Sequence, residues 1–384
     1  MEPVFKRDVP EGGTHALIVG VSDYLHLPLP GVAAGAAVLG LNKLRSAALA
    51  AWRFYDWLKA HADDLPCRLA TVHLLLSPSA EELAAAPEMA GASARAGFDA
   101  IRRTARAWRG RAKDNRDRTI FYFAGHGVGA EDKNVILLAD DFADPNAARF
   151  AHSFSLRDLD DGMAASEETP LIAQTQFYFV DACRDTDGHV QDFKTIRPGV
   201  IFDDLNQVDL RQKCTLFATS HGLRAEGVAG RGSPFCEALL EAFENASERS
   251  AVIDGSRRWL VTSDTIRDFV ADRLRVAGVE QRPRALADSS EGLLFRALPA
   301  PPLVEFHITL DPDSCAPNAA VRVTDAAGMQ HDPRETAPDH PFLARSVAGI
   351  TTVAAEAPDF EPQSTQDVLT FRTGVWPIGM PPCR

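Results

Sequence analysis

Through its first three quarters the chain alternates short, nearly continuous apolar runs with longer segments of helical periodicity, and few folds accept that alternation. HALIVGV (15–21), RLATVHLLL (68–76), TIFYFAG (119–125), QFYFVDA (176–182) and CTLFATS (214–220) read as strands. Runs this apolar belong to strands covered on both faces, because a half-exposed strand alternates polar with apolar residues. Helical stretches are expected around 33–60, 92–108, 156–165, 233–245 and 262–276. The expectation is an α/β domain whose mostly parallel sheet is flanked by helices. Sheets of that kind carry their active sites at the carboxyl ends of the strands.

The pattern changes after residue 298. PAPPL reads as a linker, and beyond it HITL, AAVRVTDAAG, ITTVAAEA and DVLTFRTG are set apart by Pro, Asp and Gly turns. Two domains are therefore expected, 1–298 and 303–384. The second is a small all-β domain, of which an immunoglobulin-like sandwich is one form, and its default role is regulation or interaction.

Composition narrows the partners. A formal charge of −13 disfavours a nucleic-acid or anionic-membrane binder, since phosphate binding needs clustered cations. The basic run 102–118 (RRTARAWRGRAKDNRDR) is the local exception, read as a solvated helix end and loop with a partner-docking patch as the alternative. The six cysteines are scattered without a CxxC pair, so neither a disulfide scaffold nor a structural zinc is expected. The N-terminal MEPVFKRDVPEGG lacks the apolar core of a signal peptide, and no apolar run approaches the ~20 residues of a membrane span. A cytoplasmic protein with reduced thiols is the expectation.

Two strand ends carry chemistry. TIFYFAGHG stops at Gly125-His126-Gly127, where the flanking glycines are expected to expose the imidazole and let backbone approach a ligand. QFYFVDAC ends at Cys183. Cysteine is a strong nucleophile and histidine moves protons at neutral pH, so the two at the ends of strands in one parallel sheet can converge on one cleft and suit thiol hydrolysis. The backbone amides of Gly127 and Cys183 are candidate donors to the oxyanion. Singly, each residue has a plainer reading: a strand-end cysteine is more often a small buried hydrophobe, and a strand-end histidine is usually structural. The joint pattern is harder to explain that way. On residue type alone His221, at the end of CTLFATSHG, competes with His126 as the base.

HALIVGVSDY, FYFAGHG, ILLADD, YFVDACRD and FATSHGLRAEG followed by GSPFCEALLEA together resemble the caspase-like cysteine peptidases, in particular their metacaspase-like and bacterial branches. The resemblance spans about residues 15 to 295 and implies a caspase-like sheet. It makes His126 the general base and acid and Cys183 the nucleophile, with Gly127 and Cys183 as oxyanion donors. His221 becomes a lining residue of the substrate cleft. If the strand continues to Cys183, Asp181 points to the same side as the sulfur. Metacaspase-like enzymes with an acid there cleave after Arg or Lys. A second pocket acid usual in metacaspases is missing, its counterparts reading AGAA (34–37) or RSAA (45–48), with Asp23 as a substitute. No cofactor is expected. Many metacaspases are activated by calcium, but Asp140, Asp141, Asp158, Asp160 and Asp161 lack EF-hand spacing and read as solvated acids.

The resemblance further implies a zymogen whose connector, 188–213, contains the basic residues Lys194, Arg197, Arg211 and Lys213 as places for self-cleavage or an activating protease. The expected activity is a cysteine endopeptidase acting on protein or peptide substrates after Arg or Lys. The Ala- and Arg-rich composition suits a GC-rich bacterial genome, and fold-level analogy alone points to bacterial defence or regulated death. The alternative is a silent adaptor that binds partners through the same fold and the C-terminal domain.

Overall fold

The computed structural model describes residues 2–35, 38–129, 134–167, 169–183, 197–203, 211–219, 232–287, 292–333 and 339–383. By compactness the chain divides into one unit of Met1–Leu240 with Arg273–Leu293, and a second of Glu241–Asp272 with Leu294–Arg384.

In chain order the strands and helices up to the middle of the sequence are β1 (Phe5–Lys6), β2 (Thr14–Val21), α1 (Ala47–Ala60), β3 (Leu69–Ser77), α2 (Ala80–Ala85), α3 (Phe98–Arg109) and β4 (Arg118–Gly125). Then follow β5 (Gly127–Gly129), β6 (Val135–Leu138), β7 (Ser153–Ser155), α4 (Leu156–Gly162), β8 (Thr175–Ala182), β9 (Gln212–Phe217) and α5 (Pro234–Asn245). The hairpin β10 (Ser247–Ile253) and β11 (Ser256–Thr262), helix α6 (Ser263–Val276) and strands β12 (Arg284–Ala287) and β13 (Leu294–Leu298) complete the stretch.

The central sheet runs β1-β3-β2-β4-β8-β9-β12. Its five inner strands are parallel, while β1 and β12 pair antiparallel at the edges. β2, β3 and β4 are buried along their whole length, which is why these segments are apolar without alternation. Because β3 lies on one side of β2 and β4 on the other, the connections diverge there, and a crevice opens at the carboxyl ends of β2 and β4.

One expected helix starts late. Residues 33–46 are rich in alanine, but Gly31 and Gly40 sit at φ +86° and +69°, and Leu39 between them at +56°. That left-handed backbone cannot continue a helix. Helix α1 begins only at Ala47, where the Ser22 hydroxyl accepts from the Ala47 and Ala48 N–H groups and the buried Glu82 carboxylate from Leu49 N–H. Three of the helix's first donors are thus satisfied from outside it, and the acid complements the helix dipole. The loop before α1 is thereby freed to cross the strand ends.

The basic run 102–118, on α3 and the loop after it, is largely occupied within the fold. Arg102 pairs with Asp99, Arg106 with Asp203, Arg116 with Asp114, and Arg109 donates to Ser166. Among the described residues the six cysteines form no disulfide, and no helix is long and apolar enough to cross a membrane.

In the second unit, β14 (Leu303–Asp311), β15 (Ala320–Thr324), β16 (Gln330–His331), β17 (Phe342–Val347), β18 (Gly349–Glu356), β19 (Gln363–Leu369) and β20 (Val375–Gly379) form sheets ordered β17-β14-β20 and β16-β15-β18-β19. Phe306 and Ile308 from the first and Val321, Val323 and Val353 from the second share one core. β14 alternates buried and exposed along its length, the signature of a strand with one solvated face. A third sheet, β10-β11-β13, groups with this unit.

Candidate active site

The site is built on β4 and β8, which are hydrogen-bonded neighbours. Their last register pairs are Ala124↔Asp181 and Gly125↔Ala182, so the next residue of each strand is His126 and Cys183. Adjacent strands lie about 4.8 Å apart. The two candidate reactive residues therefore leave the sheet side by side. Cys183 is half-buried, and β8 itself ends one residue before it.

His126 is 8% exposed and held at both ends. Its backbone N–H donates to the Tyr24 hydroxyl at 2.7 Å, and its ring Nε2 lies 2.7 Å from the Asn42 carbonyl oxygen. A carbonyl can only accept, so Nε2 carries the proton and Nδ1 is left with its lone pair. Burial lowers the imidazole's pKa to about 4, with the Asn42 carbonyl acting in the opposite sense. At neutral pH the ring is an uncharged base.

Tyr24 follows β2 and reaches across the crevice. Its hydroxyl accepts from His126 N–H and donates toward the Leu138 carbonyl at 3.5 Å, while Leu138 N–H donates to the His126 carbonyl at 3.1 Å. The hydroxyl thus takes the place of one ladder bond between His126 and the end of β6. Gly125 admits it: a Cβ there would stand 2.9 Å from the Tyr24 oxygen.

Since His126 hydrogen-bonds toward β6, the alternation of an antiparallel ladder turns the N–H of Gly127 away from it. A Cβ on Gly127 would meet the Cys183 carbonyl oxygen at 2.6 Å, closer than real contacts allow. Only glycine fits between the two strand ends.

Asp181 is 5% exposed. Ser233 donates to its carboxylate, as does Tyr122 at 3.4 Å. Ser233 also accepts from Cys236 N–H at 3.0 Å and so caps α5, while Tyr122 stacks on Phe54 of α1. Burial raises the Asp181 carboxyl to about 7, against the lowering effect of the Ser233 and Tyr122 hydroxyls. Near neutrality it is poised between acid and carboxylate, so the negative charge two residues from Cys183 is partial.

Asp23 is already committed: Lys43 Nζ lies 2.7 Å and an Arg95 nitrogen 3.0 Å from its two oxygens. It offers little to a substrate cation. Asp140 is held by Ser77 and Arg95, and Asp160 by Arg211 and Lys213. Among the described residues no cluster of His, Cys, Asp or Glu is arranged to hold a metal ion. Asp185, Lys194 and His221 lie outside the described residues. Of the other connector cations, Arg211 is buried against Asp160 and Gln176, Lys213 is within β9, and Arg197 is exposed.

Four residues around His126 and Asp181 have no role assigned from the sequence: Tyr24, Asn42, Tyr122 and Ser233. Tyr24 and Ser233 stand in the motifs GVSDY and GSPF, which offered a signal. Asn42 acts through its carbonyl, which every residue type possesses, so its identity gave none.

A family model described as the caspase domain matches residues 14–285 of this chain. No curated protein matches. Among solved structures, the chain is similar to caspase-1 from Spodoptera frugiperda, at 16% identity over 77% of this chain and 94% of that one, with a TM-score of 0.40.

Proposed function

Because the chain belongs to the caspase family of cysteine peptidases, we propose that it is an endopeptidase in which Cys183 is the nucleophile and His126 its base, acting after Arg or Lys. The observation that supports this most is the state of His126: buried at a strand end beside that of Cys183, with Nε2–H on the Asn42 carbonyl and Nδ1 left basic.

In this reading His126 Nδ1 takes the thiol proton as the Cys183 sulfur attacks the scissile carbonyl. The Gly127 and Cys183 N–H groups receive the developing oxyanion. The imidazolium then gives its proton to the departing amine, and a water activated by the same nitrogen hydrolyses the thioester. An imidazole with a low pKa is a weak base but becomes a strong acid once protonated, which favours expulsion of the amine. The Asn42 carbonyl eases the transient positive charge.

Asp181 is read as the recognition element for a cationic P1 side chain. An arriving guanidinium or ammonium favours the ionised carboxylate, replacing the hydroxyls of Ser233 and Tyr122 with a charge-assisted bond. The reading assigns no metal ligand: Asp140 and Asp160 are neutralised by neighbouring cations. The C-terminal β sheets are assigned a regulatory or partner-binding role, and bacterial defence is the biological setting proposed.

The test is hydrolysis of fluorogenic peptides ending in Arg, Lys or Asp by the wild type, Cys183→Ala and His126→Ala. Cleavage after Arg and Lys by the wild type alone is expected. Cleavage only after Asp would overturn the pocket, and equal activity in Cys183→Ala would overturn the dyad.

A further inference from the structure

The loop of residues 22–46 supports His126 at two points, and one ion pair joins the residues beside them. Tyr24 receives the histidine's backbone N–H, and Asn42 its ring Nε2–H. Asp23 precedes the first support and Lys43 follows the second. Lys43 Nζ donates to Asp23 Oδ1 at 2.7 Å.

Both halves of this pair are anchored further. Arg95 binds Asp23 twice, through the carboxylate at 3.0 Å and the backbone carbonyl at 2.8 Å. Its Nε donates to Asp140 Oδ2 at 2.9 Å, an oxygen that also accepts from Ser77 at 2.6 Å. Ser77 ends β3, so the chain of bonds is grounded in the central sheet. On the other side the peptide unit joining Asn42 to Lys43 is fixed at both poles. Its carbonyl accepts from His126, and the Lys43 N–H donates to the Pro28 carbonyl at 2.9 Å. The Asn42 carboxamide donates to the carbonyls of Leu29 and Val32 at 3.0 and 2.8 Å.

We propose that Asp23, Lys43 and Arg95, with the Asn42 carboxamide, are positioning residues that hold the two supports of His126 at a fixed separation and so keep Nε2 protonated and Nδ1 available. The proposal rests on the reading of His126 as the base. None of the four side chains is placed on the reacting atoms; they act through the histidine.

The physical reason for such a clamp is that the loop has little regular structure of its own. It carries the left-handed residues Leu39 and Gly40, and among its described residues no α-helix or strand fixes the Asn42 carbonyl. Misplacing a catalytic group by about 1 Å can cost on the order of a hundredfold in rate. The side chains of Lys43 and Asp23 are about one-quarter exposed and that of Arg95 nearly half, and partly solvated ion pairs contribute little to global stability. Removing the clamp should therefore damage catalysis more than folding.

The experiment uses the full chain with Lys43→Met, Asn42→Ala and the conservative Lys43→Arg. Peptide hydrolysis is combined with nitrogen-15 NMR of labelled histidines, His126→Gln serving to assign the signal. The wild type should show the single Nε2–H tautomer of His126. Lys43→Met and Asn42→Ala should show mixed tautomers and a kcat lowered about 10- to 100-fold, with KM within about threefold and melting within a few degrees. Lys43→Arg should restore the tautomer and kcat to within about threefold of wild type. An unchanged tautomer and unchanged kcat in both Lys43→Met and Asn42→Ala would overturn the clamp. If the wild type hydrolyses no peptide, the dyad reading fails separately, and the NMR still decides: loss of the tautomer in Lys43→Met supports the clamp, its retention overturns it.

Discussion

Replacing Asp181 with Asn tests whether the buried carboxyl is poised for a cation. Burial raises its pKa from 3.8 to about 7 in the folded chain. Between those values the folded state binds a proton that the unfolded state has released, so unfolding releases a proton and stability falls as pH rises through the window. A pKa unit is worth about 1.4 kcal/mol, and between pH 5 and pH 8 the group should cost the wild type about 3 kcal/mol. Asn keeps the shape and cannot ionise. Urea unfolding at pH 5 and pH 8 is the assay, comparing Asp181→Asn with wild type at each pH. The variant should gain on the wild type by about 3 kcal/mol over that interval. In parallel, an arginine mimic such as benzamidine should bind the wild type more tightly as pH rises from 5.5 toward 7, and this pH dependence should vanish in Asp181→Asn. A stability difference independent of pH would refute the placement of Asp181 as a buried, uncompensated carboxyl. Benzamidine binding that ignores both pH and the substitution would refute its role toward cations.

Three further outcomes follow from the same geometry. Gly127→Ala drives a methyl to within 2.6 Å of the Cys183 carbonyl and should lower stability by about 1–3 kcal/mol and kcat far more, measured by thermal melting and peptide hydrolysis. Tyr24→Phe removes the acceptor of His126 N–H in a buried site; a loss of about 1–3 kcal/mol in stability is expected by urea unfolding, together with a reduced kcat. If the connector is cut, peptide mapping should find the cut after Lys194. Arg211 is buried, Lys213 lies in β9, and Arg197 precedes the rigid Pro198, so new termini at 212 or 214 would contradict the structure.

Much of the sheet was legible because its strands are buried on both faces. Continuous apolar runs such as TIFYFAG and QFYFVDA identified β4 and β8 to within a residue at the start and exactly where they end mattered most, at His126 and Cys183. The helix expected from residue 33 was misjudged because alanine content outweighed Gly31, Gly35 and Gly40, and the loop that formed instead carries Asn42. The hairpin of β10 and β11 was not anticipated, because SERSAVI and SRRWLVT are partly solvated and lack the continuous apolar pattern. Ion pairs between distant residues, such as Asp23 with Lys43 and Arg95, leave no periodic trace. Asp181 was visible as an acid two residues before Cys183; its burial against Ser233 and Tyr122 depends on α1 and α5 packing over the sheet, which a linear pattern does not carry.

The most direct test of the dyad and its pocket is covalent trapping. Wild-type protein is treated with an arginyl and an aspartyl peptide chloromethyl ketone, and the adduct is located by intact mass and peptide mapping. One arginyl adduct is expected, on Cys183, forming at least about tenfold more slowly in His126→Ala and in Asp181→Asn, with the aspartyl reagent reacting slowly. Labelling of another cysteine, or faster reaction of Cys183 with the aspartyl reagent, would contradict the dyad and its pocket.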